Sequence, residues 1–493
     1  MKKKLLEMAP AIVIGIVGLG FWGYKKLTKP EEPKMVYPNI IILLADDLGY
    51  ADLSIYGGDA HTPSLDSLAH SGIRFTDFYA AAPNCSPSRA GLMTGIDPNI
   101  LGVYNYLPPG HPMHLRTDVL SLARLVKKRD YATAHFGKWH LSCLPQNEKL
   151  NQPQPLGQGF DYSFGTENSA YPSHLNPVNF VRNRLTLKEQ KGFSCDILVR
   201  DALNWLDDIE EENPYFLYMA FHEPHKKVAS PPDLVSKYAK EYDKQDAEYL
   251  ANVENMDKAI GRLLKGLREK GMDKNTFILF SSDNGSYRKG SNGNLLGGKS
   301  FVYEGGIRVP AIISWDKVIE AGQRSEKVAG LVDVMPTLCD LVDIRYPYSK
   351  QLAGTSLMPL IKQENFVRKK SLSWFFYRTK PEMAMRIDNY SLLASSPDTS
   401  MHTHAFTAPD MEHIKQLKLE KFELYDLAED PSQSRDIFEE KGQYSIALQV
   451  LLEKRFKEIQ KNSYVWKELP AVGNKVRKKR SEWRKLRPES FSN

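Results

Sequence analysis

Asp46 and Asp47 stand side by side at the end of an apolar run, Asn39–Ala45 (NIIILLA). Asp283 and Asn284 stand just past another, 276–281 (TFILFS). Adjacent carboxylates repel, and without a partner one is driven towards its protonated form. A hard divalent cation removes that conflict, and Asp283 and Asn284 offer two more oxygens of the kind calcium takes. Each pair alone also reads as a turn or a helix cap, Asp-Asn-Gly being a turn sequence. Two such pairs at two strand ends favour the metal. A third cluster is Asn84-Cys85-Ser86-Pro87-Ser88-Arg89, continuing Ala-Gly-Leu-Met-Thr-Gly to Gly95. Pro87 suits a first helical turn, Ser86 is a natural N-cap, and Ala90 to Thr94 can continue the helix. Cys85 then sits at a helix N-terminus, where an anion is favoured and a thiolate stabilised. The residues alone leave open a cysteine nucleophile, an anion site with Arg89, or a capped helix with a buried cysteine.

The elements that must position these groups are strand–helix alternations. Apolar runs at 39–45, 215–221, 276–281 and 309–315 read as buried parallel strands. Helical patterns at 118–128, 196–211, 247–270 and 333–342 lie between or after them. This predicts an α/β layer around a central sheet, with sites outside the carboxyl ends of its strands. Asp46-Asp47, His222 to His225 and Ser282 to Gly285 all fall there. Beyond about residue 350, shorter strand-like segments (372–377 and 422–427) predict a smaller C-terminal α+β subdomain. The expected division is 1–34, an N-terminal signal or anchor; 35–350, the catalytic domain; 351–470, the subdomain; and 471–493, a basic tail.

The 493 residues are 42% hydrophobic, 11% aromatic and 26% charged, which excludes a disordered, collagenous or multi-span membrane chain. Four cysteines are too few for a disulfide scaffold, so packing must carry the fold. Lys2 to Lys4 precede an apolar run at 8–23, as in an export signal, and Phe21, Trp22 and Tyr24 form an interfacial aromatic group. Both a cleaved signal and an uncleaved membrane anchor fit, and either makes the protein exported: periplasmic, extracytoplasmic or membrane-anchored. The net charge of +6 is unevenly spread. Residues 1–34 hold seven Lys and three Glu (+4), and 475–487 hold eight basic residues and one acid (+7), leaving −5 for the body between. The basic end reads as a solvated tail or a polyanion contact, and no nucleic-acid motif is present.

Cys-x-Pro-x-Arg followed by Ala-Gly-Leu-Met-Thr-Gly resembles the signature of type I sulfatases. Further landmarks follow in that family's order over about residues 37–435: Thr62 to Asp66, Gly137 to Leu141, Gly159 to Asp161, Pro224-His225, Gly298-Lys299, Glu304 to Pro310 and Glu423 to Leu427. Gly290 to Gly293 before Lys299 is similar to the arylsulfatase A and N-acetylgalactosamine-6-sulfatase branch. The resemblance implies an alkaline-phosphatase-like α/β fold: a mixed, mostly parallel sheet flanked by helices.

It also implies a chemistry. Cys85 would be converted to 3-oxoalanine (formylglycine) by a maturation enzyme and hydrated to a geminal diol. One hydroxyl would attack sulfur, and the other would collapse to the aldehyde and expel sulfate. One calcium ion on Asp46, Asp47, Asp283, Asn284 and residue 85 would bind the sulfate. Arg89 and Lys138 would hold the hydrate and the sulfate, His140 would bond or deprotonate the diol, and Lys299 would neutralise a sulfate oxygen. His225 would protonate the leaving oxygen, with His222 its rival. The implied substrate is a sulfated sugar or an aryl sulfate, cut exo-fashion. The 164–171 stretch resembles the loop that shapes leaving-group pockets, and His174, His402, His404 and His413 could line one. Many relatives carry Lys where Ser391 stands, which puts a C-terminal substrate contact in doubt. The competing readings are a phosphate or phosphonate monoester hydrolase of the same superfamily, and a non-enzymatic glycan-binding protein.

Overall fold

A computed structural model describes residues 36–108, 111–143, 152–210, 213–377, 381–398 and 408–467. The expected signal or anchor at 1–34, His402, His404 and the basic tail lie outside the described residues.

In chain order the first twelve strands are β1 (Asn39–Ala45), β2 (Ile73–Phe75), β3 (Phe78–Tyr79), β4 (Ala132–Lys138), β5 (Tyr162–Thr166), β6 (Val181–Arg182), β7 (Leu185–Thr186), β8 (Tyr215–Ala220), β9 (Thr276–Ser282), β10 (Ala311–Trp315), β11 (Gln323–Ser325) and β12 (Ala329–Gly330). Ten form one sheet in the order β11-β2-β10-β9-β1-β8-β4-β5-β6-β7, while β3 pairs with β12. The centre, β9-β1-β8-β4-β5, is parallel. β10 is not the expected parallel strand: it runs antiparallel to both β9 and β2. Its connection from β9 carries only the four-residue helix Glu304–Ile307, not the long helix that usually links parallel neighbours. β4 escaped the sequence reading because Gly137 and His135 break its apolar run.

Successive side chains of β1 point to opposite faces, so a wholly apolar strand must be covered on both. Ile40, Ile42 and Leu44 enter one core, beneath helices Cys85–Thr94 and Val334–Leu341. Ile41, Leu43 and Ala45 enter the other, beneath helices Ser194–Asp208 and Lys244–Glu269. The second sheet is antiparallel: β13 (Leu372–Tyr377), β14 (Pro381–Ile387), β15 (Tyr390–Ser395) and β16 (Lys421–Asp426), with helix Gln443–Asn462 against it. Phe375 and Phe456 meet edge to face at 4.7 Å across that packing. All four cysteines are buried free thiols, so packing does carry the described fold.

Register brings the strand ends together. Ala45 pairs with Ser282, Leu44 with Ala220, and Ala220 with Gly137. The segments leaving β9, β1, β8 and β4 therefore emerge side by side.

Candidate active site

β1 runs directly into Asp46 and Asp47, whose carboxylates meet that of Asp283 past β9. One oxygen from each of the three lies within 4.8 Å of the others, and all three residues are fully buried. Among the described residues this is the one cluster of metal-ligating side chains. The Asp47 amide donates to Asp283 Oδ1 at 3.1 Å, and Asn284 Nδ2 donates to Asp47 Oδ1 at 2.7 Å. Asn284 Oδ1 is buried with no hydrogen-bond partner. Three carboxylates and an orphaned amide oxygen form a hard-oxygen donor set, which fits a cation of the calcium class. Cys85 Sγ is not part of the cluster.

Cations surround these acids. Lys138, the last residue of β4, places Nζ 2.9 Å from both oxygens of Asp46. Lys299 Nζ lies 2.7 Å from the Asp47 carboxylate. Arg89 sets Nε and Nη2 2.9 and 2.8 Å from Asp283 Oδ2, and Nη1 donates to the Lys138 carbonyl at 3.0 Å. Burial alone would raise the Asp46 carboxyl, but Lys138, then His225, Arg89 and Lys299 hold it well below the usual range. For Asp283 burial wins: despite Arg89 it is pushed up to about 6, with Asp46 and Asp47 adding like-charge repulsion. Burial would lower the Lys299 ammonium, yet Asp47 and its neighbours keep it well above its ordinary value.

The helix bearing Cys85 starts two residues earlier than the sequence implies. Asn84, not Ser86, is its N-cap, and its Oδ1 accepts from the Cys85 amide at 2.8 Å and from Sγ at 3.3 Å. Asn, like Ser, is a preferred cap, and the two candidates stand two residues apart. Asn84 is fixed in turn by Nδ2 donating to Ser300 Oγ at 2.9 Å, and Ser86 Oγ accepts from the Leu107 amide. The thiolate expected at this helix end is not favoured. Burial pushes the Cys85 thiol up, and Lys138 and Lys299 offset this only in part.

Two site residues have left-handed backbones, Asp47 (φ 66°) and His140 (φ 52°), a conformation uncommon outside glycine and associated with functional sites. The His140 amide donates to the Glu167 carbonyl at 2.7 Å. Its Nε2 lies 3.1 Å from the Leu107 carbonyl, which assigns the proton to Nε2 and leaves Nδ1 a buried lone pair with no protein donor. Burial, then Lys138 and Arg89, hold the ring well below its ordinary pKa, so it is neutral.

His225 is part-exposed, with Nδ1 2.7 Å from the Lys226 carbonyl and Nε2 3.5 Å from Asp47 Oδ2. Burial pushes it down to about 4, against Asp46 and Asp47. His222 is fully buried and bonded through Nε2 to Thr166 Oγ1 at 2.8 Å, so His225 is the histidine that faces the carboxylates. Sequence reasoning passed over Glu223 between them. Its Oε1 accepts from the Cys195 amide at 3.1 Å, its Oε2 from the His222 amide at 3.1 Å, and its carbonyl from the Asp46 amide at 2.9 Å. A buried acid between two histidines was the available signal. His174 is fully buried with Nδ1 3.8 Å from Glu223 Oε1, and His413 pairs with Asp398. In the 164–171 stretch Phe164 is core, whereas Ser169 lies 3.2 Å from His225 and Tyr171 is exposed. Ser391 is buried in β15 against Gln433.

A mixed, mostly parallel sheet thus carries at its strand ends a buried carboxylate cluster ringed by lysine and arginine. The family model described as Sulfatase matches residues 38–344, and that of the N-sulphoglucosamine sulphohydrolase C-terminal region matches 296–462. The chain belongs to the sulfatase family, and it is an enzyme that hydrolyses sulfate esters. It is 31% identical to N-acetylgalactosamine-6-sulfatase of Rattus norvegicus, over 72% of this chain and 70% of that one. It is 30% identical to arylsulfatase A of Homo sapiens, over 81% and 83%. Among solved structures, Ps i-CgsB in complex with k-i-k-neocarrahexaose matches with a TM-score of 0.74 at 27% identity, covering 87% of this chain and 94% of that one.

Proposed function

We propose that the chain is an exported, formylglycine-dependent sulfatase acting on sulfated carbohydrates, with calcium on Asp46, Asp47, Asp283 and Asn284. The observation that carries this reading is the convergence of Arg89, Lys138 and Lys299 on three buried carboxylates beside a helix that begins at Cys85. Calcium would supply Lewis-acid charge for sulfate oxygens. Formylglycine at position 85 would supply two hydroxyls on one carbon, one to attack sulfur and one to release the product.

The chain's own residues supply the rest. Arg89 is locked by Asp283 and the Lys138 carbonyl, so its charge is preorganised rather than recruited. Lys138 and Lys299 are held at Asp46 and Asp47, from which they neutralise sulfate oxygens. His140 is neutral with Nδ1 free, the state a base needs to take a proton from the hydroxyl at position 85. His225 is oriented by the Lys226 carbonyl, which leaves Nε2 as its working edge. The incoming sulfate adds negative charge beside the ring and so favours the imidazolium that protonates the leaving oxygen.

The carbohydrate assignment rests on the sugar named in the rat relative and the oligosaccharide in the Ps i-CgsB complex. Export rests on the 1–34 segment, where signal and anchor both fit; among the described residues no helix is long and apolar enough to cross a membrane. The test is the intact mass of the peptide spanning residue 85 in active enzyme. An aldehyde in place of the thiol is expected, together with loss of sulfate-ester hydrolysis in Cys85→Ala. An unmodified cysteine in a fully active preparation overturns the formylglycine reading.

A further inference from the structure

Immediately beyond His225 the surface opens into a cavity of about 360 Å³, whose lining includes Lys226, Lys244, Glu248, Tyr249, Tyr287 and Arg288. It adjoins the site through two of these. Lys226 follows His225 in the chain, and the Tyr287 ring stands edge-on to the His225 imidazole, centroids 6.4 Å apart. Tyr287 thus forms the wall between catalytic histidine and cavity. Tyr249, at its floor, is fixed by its hydroxyl donating to Asp52 Oδ2 at 2.6 Å.

The cavity's charges are not balanced. Arg288 is committed, with Nε on Asp246 Oδ1 at 2.9 Å and Nη1 on Ser291 Oγ at 3.1 Å. Lys226 is exposed and holds Nζ 4.5 Å from the Tyr287 centroid. Lys244 is exposed at the first turn of helix Lys244–Glu269, the end at which a cation is least favoured electrostatically. Among the described residues neither lysine has a carboxylate ion-pair partner, and Glu248 is the one acid of the lining. An aromatic wall, two ammonium groups without a carboxylate partner and room for one sugar ring are the parts of a subsite for an anionic saccharide unit.

Building on the sulfatase reading above, we infer that this cavity holds the sugar next to the one that bears the scissile sulfate. Lys226 and Lys244 read an anionic group on that neighbour, either a uronate carboxylate or a second sulfate ester. Tyr287 offers its ring to the sugar's apolar face. The substrate is thereby a charged oligosaccharide rather than an isolated sulfated monosaccharide.

Lys244→Glu tests this, because the residue is exposed, is neither part of the carboxylate cluster nor one of the cations bound to it, and is suited to an acid at a helix start. Hydrolysis is compared on three oligosaccharides with the same scissile sulfate and a neighbour that is neutral, uronate-bearing or sulfated. Relative to the neutral-neighbour substrate, kcat/KM on one or both anionic-neighbour substrates is expected to fall about tenfold at low salt. The fall should lie in KM and shrink as salt rises, and the arm that responds identifies the anionic group. Equal effects on all three substrates overturn the inference, as does none. Binding of the same oligosaccharides to full-length Cys85→Ala, with and without Lys244→Glu, separates the two readings. A loss of affinity there for the anionic-neighbour ligands alone upholds the subsite even if the formylglycine reading fails, and unchanged affinity for every ligand overturns it.

Discussion

Arg89 lays Nε and Nη2 along a single oxygen of Asp283, at 2.9 and 2.8 Å, with both side chains fully buried. Arg89 lies on the helix that begins at Cys85, and Asp283 lies past β9. The contact therefore fixes the helix that begins at Cys85 to the carboxylate cluster. It also means that either side chain, removed alone, leaves a buried charge without its partner.

For Arg89→Ala the expected outcome is a fall in kcat of at least about 10²–10³-fold from a lost preorganised donor. A stability loss of about 3–5 kcal/mol accompanies it. Arg89→Lys keeps the charge but not the planar fork, and should recover stability better than rate. Steady-state kinetics and denaturant unfolding separate the two effects. Wild-type kcat in Arg89→Ala would remove this residue from the site.

Exhaustive chelation should abolish turnover and lower Tm by roughly a few degrees, because a bound cation stabilises by mass action. Like charges at Asp46, Asp47 and Asp283 otherwise repel in a dry environment. Calcium added back should restore both properties in the wild type. In Asp47→Asn, which weakens the donor set, restoration should need a higher calcium concentration. Thermal shift against free calcium reads the metal separately from catalysis, and a calcium-independent Tm together with full activity after chelation would dismiss the ion.

His140→Ala is expected to lower kcat by about 10²–10⁴-fold with little change in KM, the signature of lost proton transfer. The neutral ring with Nδ1 unpartnered is what makes this a base and not an anchor. A change confined to KM would recast it as a binding group.

The catalytic layout is legible in the sequence to the extent that polar residues interrupt apolar runs. Asp46-Asp47 and Asp283-Asn284 show themselves because the runs 40–45 and 277–280 are hydrophobic, and polar oxygen donors just beyond them have no packing role. Lys138 and His140 are visible only through family resemblance, since β4 contains Gly137 and His135 and does not read as a strand. The antiparallel course of β10 is invisible to any pattern, because strand direction depends on the long connection from β9. The left-handed turns at Asp47 and His140 depend on tertiary contacts and leave no local mark. Asn84 and Ser86 are equally good caps, and only the tie from Asn84 to Ser300, more than 200 residues away, decides between them.

Gly137 sits where no side chain fits. Its φ is +96°, and a Cβ added there would lie 1.9 Å from the Ala220 carbonyl oxygen, across the β4–β8 pairing. Gly137→Ala must either separate those strands or change the backbone that delivers Lys138. A destabilisation of about 3 kcal/mol or more is expected, as for other incompatible backbone substitutions. It should be measured as a lowered unfolding midpoint. A variant of native stability would show that this strand pair is more pliant than its geometry implies.

His222 and His225 are three residues apart, and leaving-group chemistry distinguishes them better than overall activity. An acid that protonates the departing oxygen matters most when that oxygen is a poor leaving group. A sugar alkoxide is one, whereas an activated phenolate departs without help. His225→Ala should therefore cost about 10²–10⁴-fold on a sugar sulfate and far less on an activated aryl sulfate. His222 is buried, bonded to Thr166 and 5.6 Å from the Phe180 ring, so His222→Ala should lower stability and affect both substrates alike. The ratio of rates on the two substrates is the readout, because it cancels any loss of folded enzyme. If His222→Ala changes that ratio and His225→Ala does not, the acid is His222, and the orientation of His225 by the Lys226 carbonyl serves substrate placement instead.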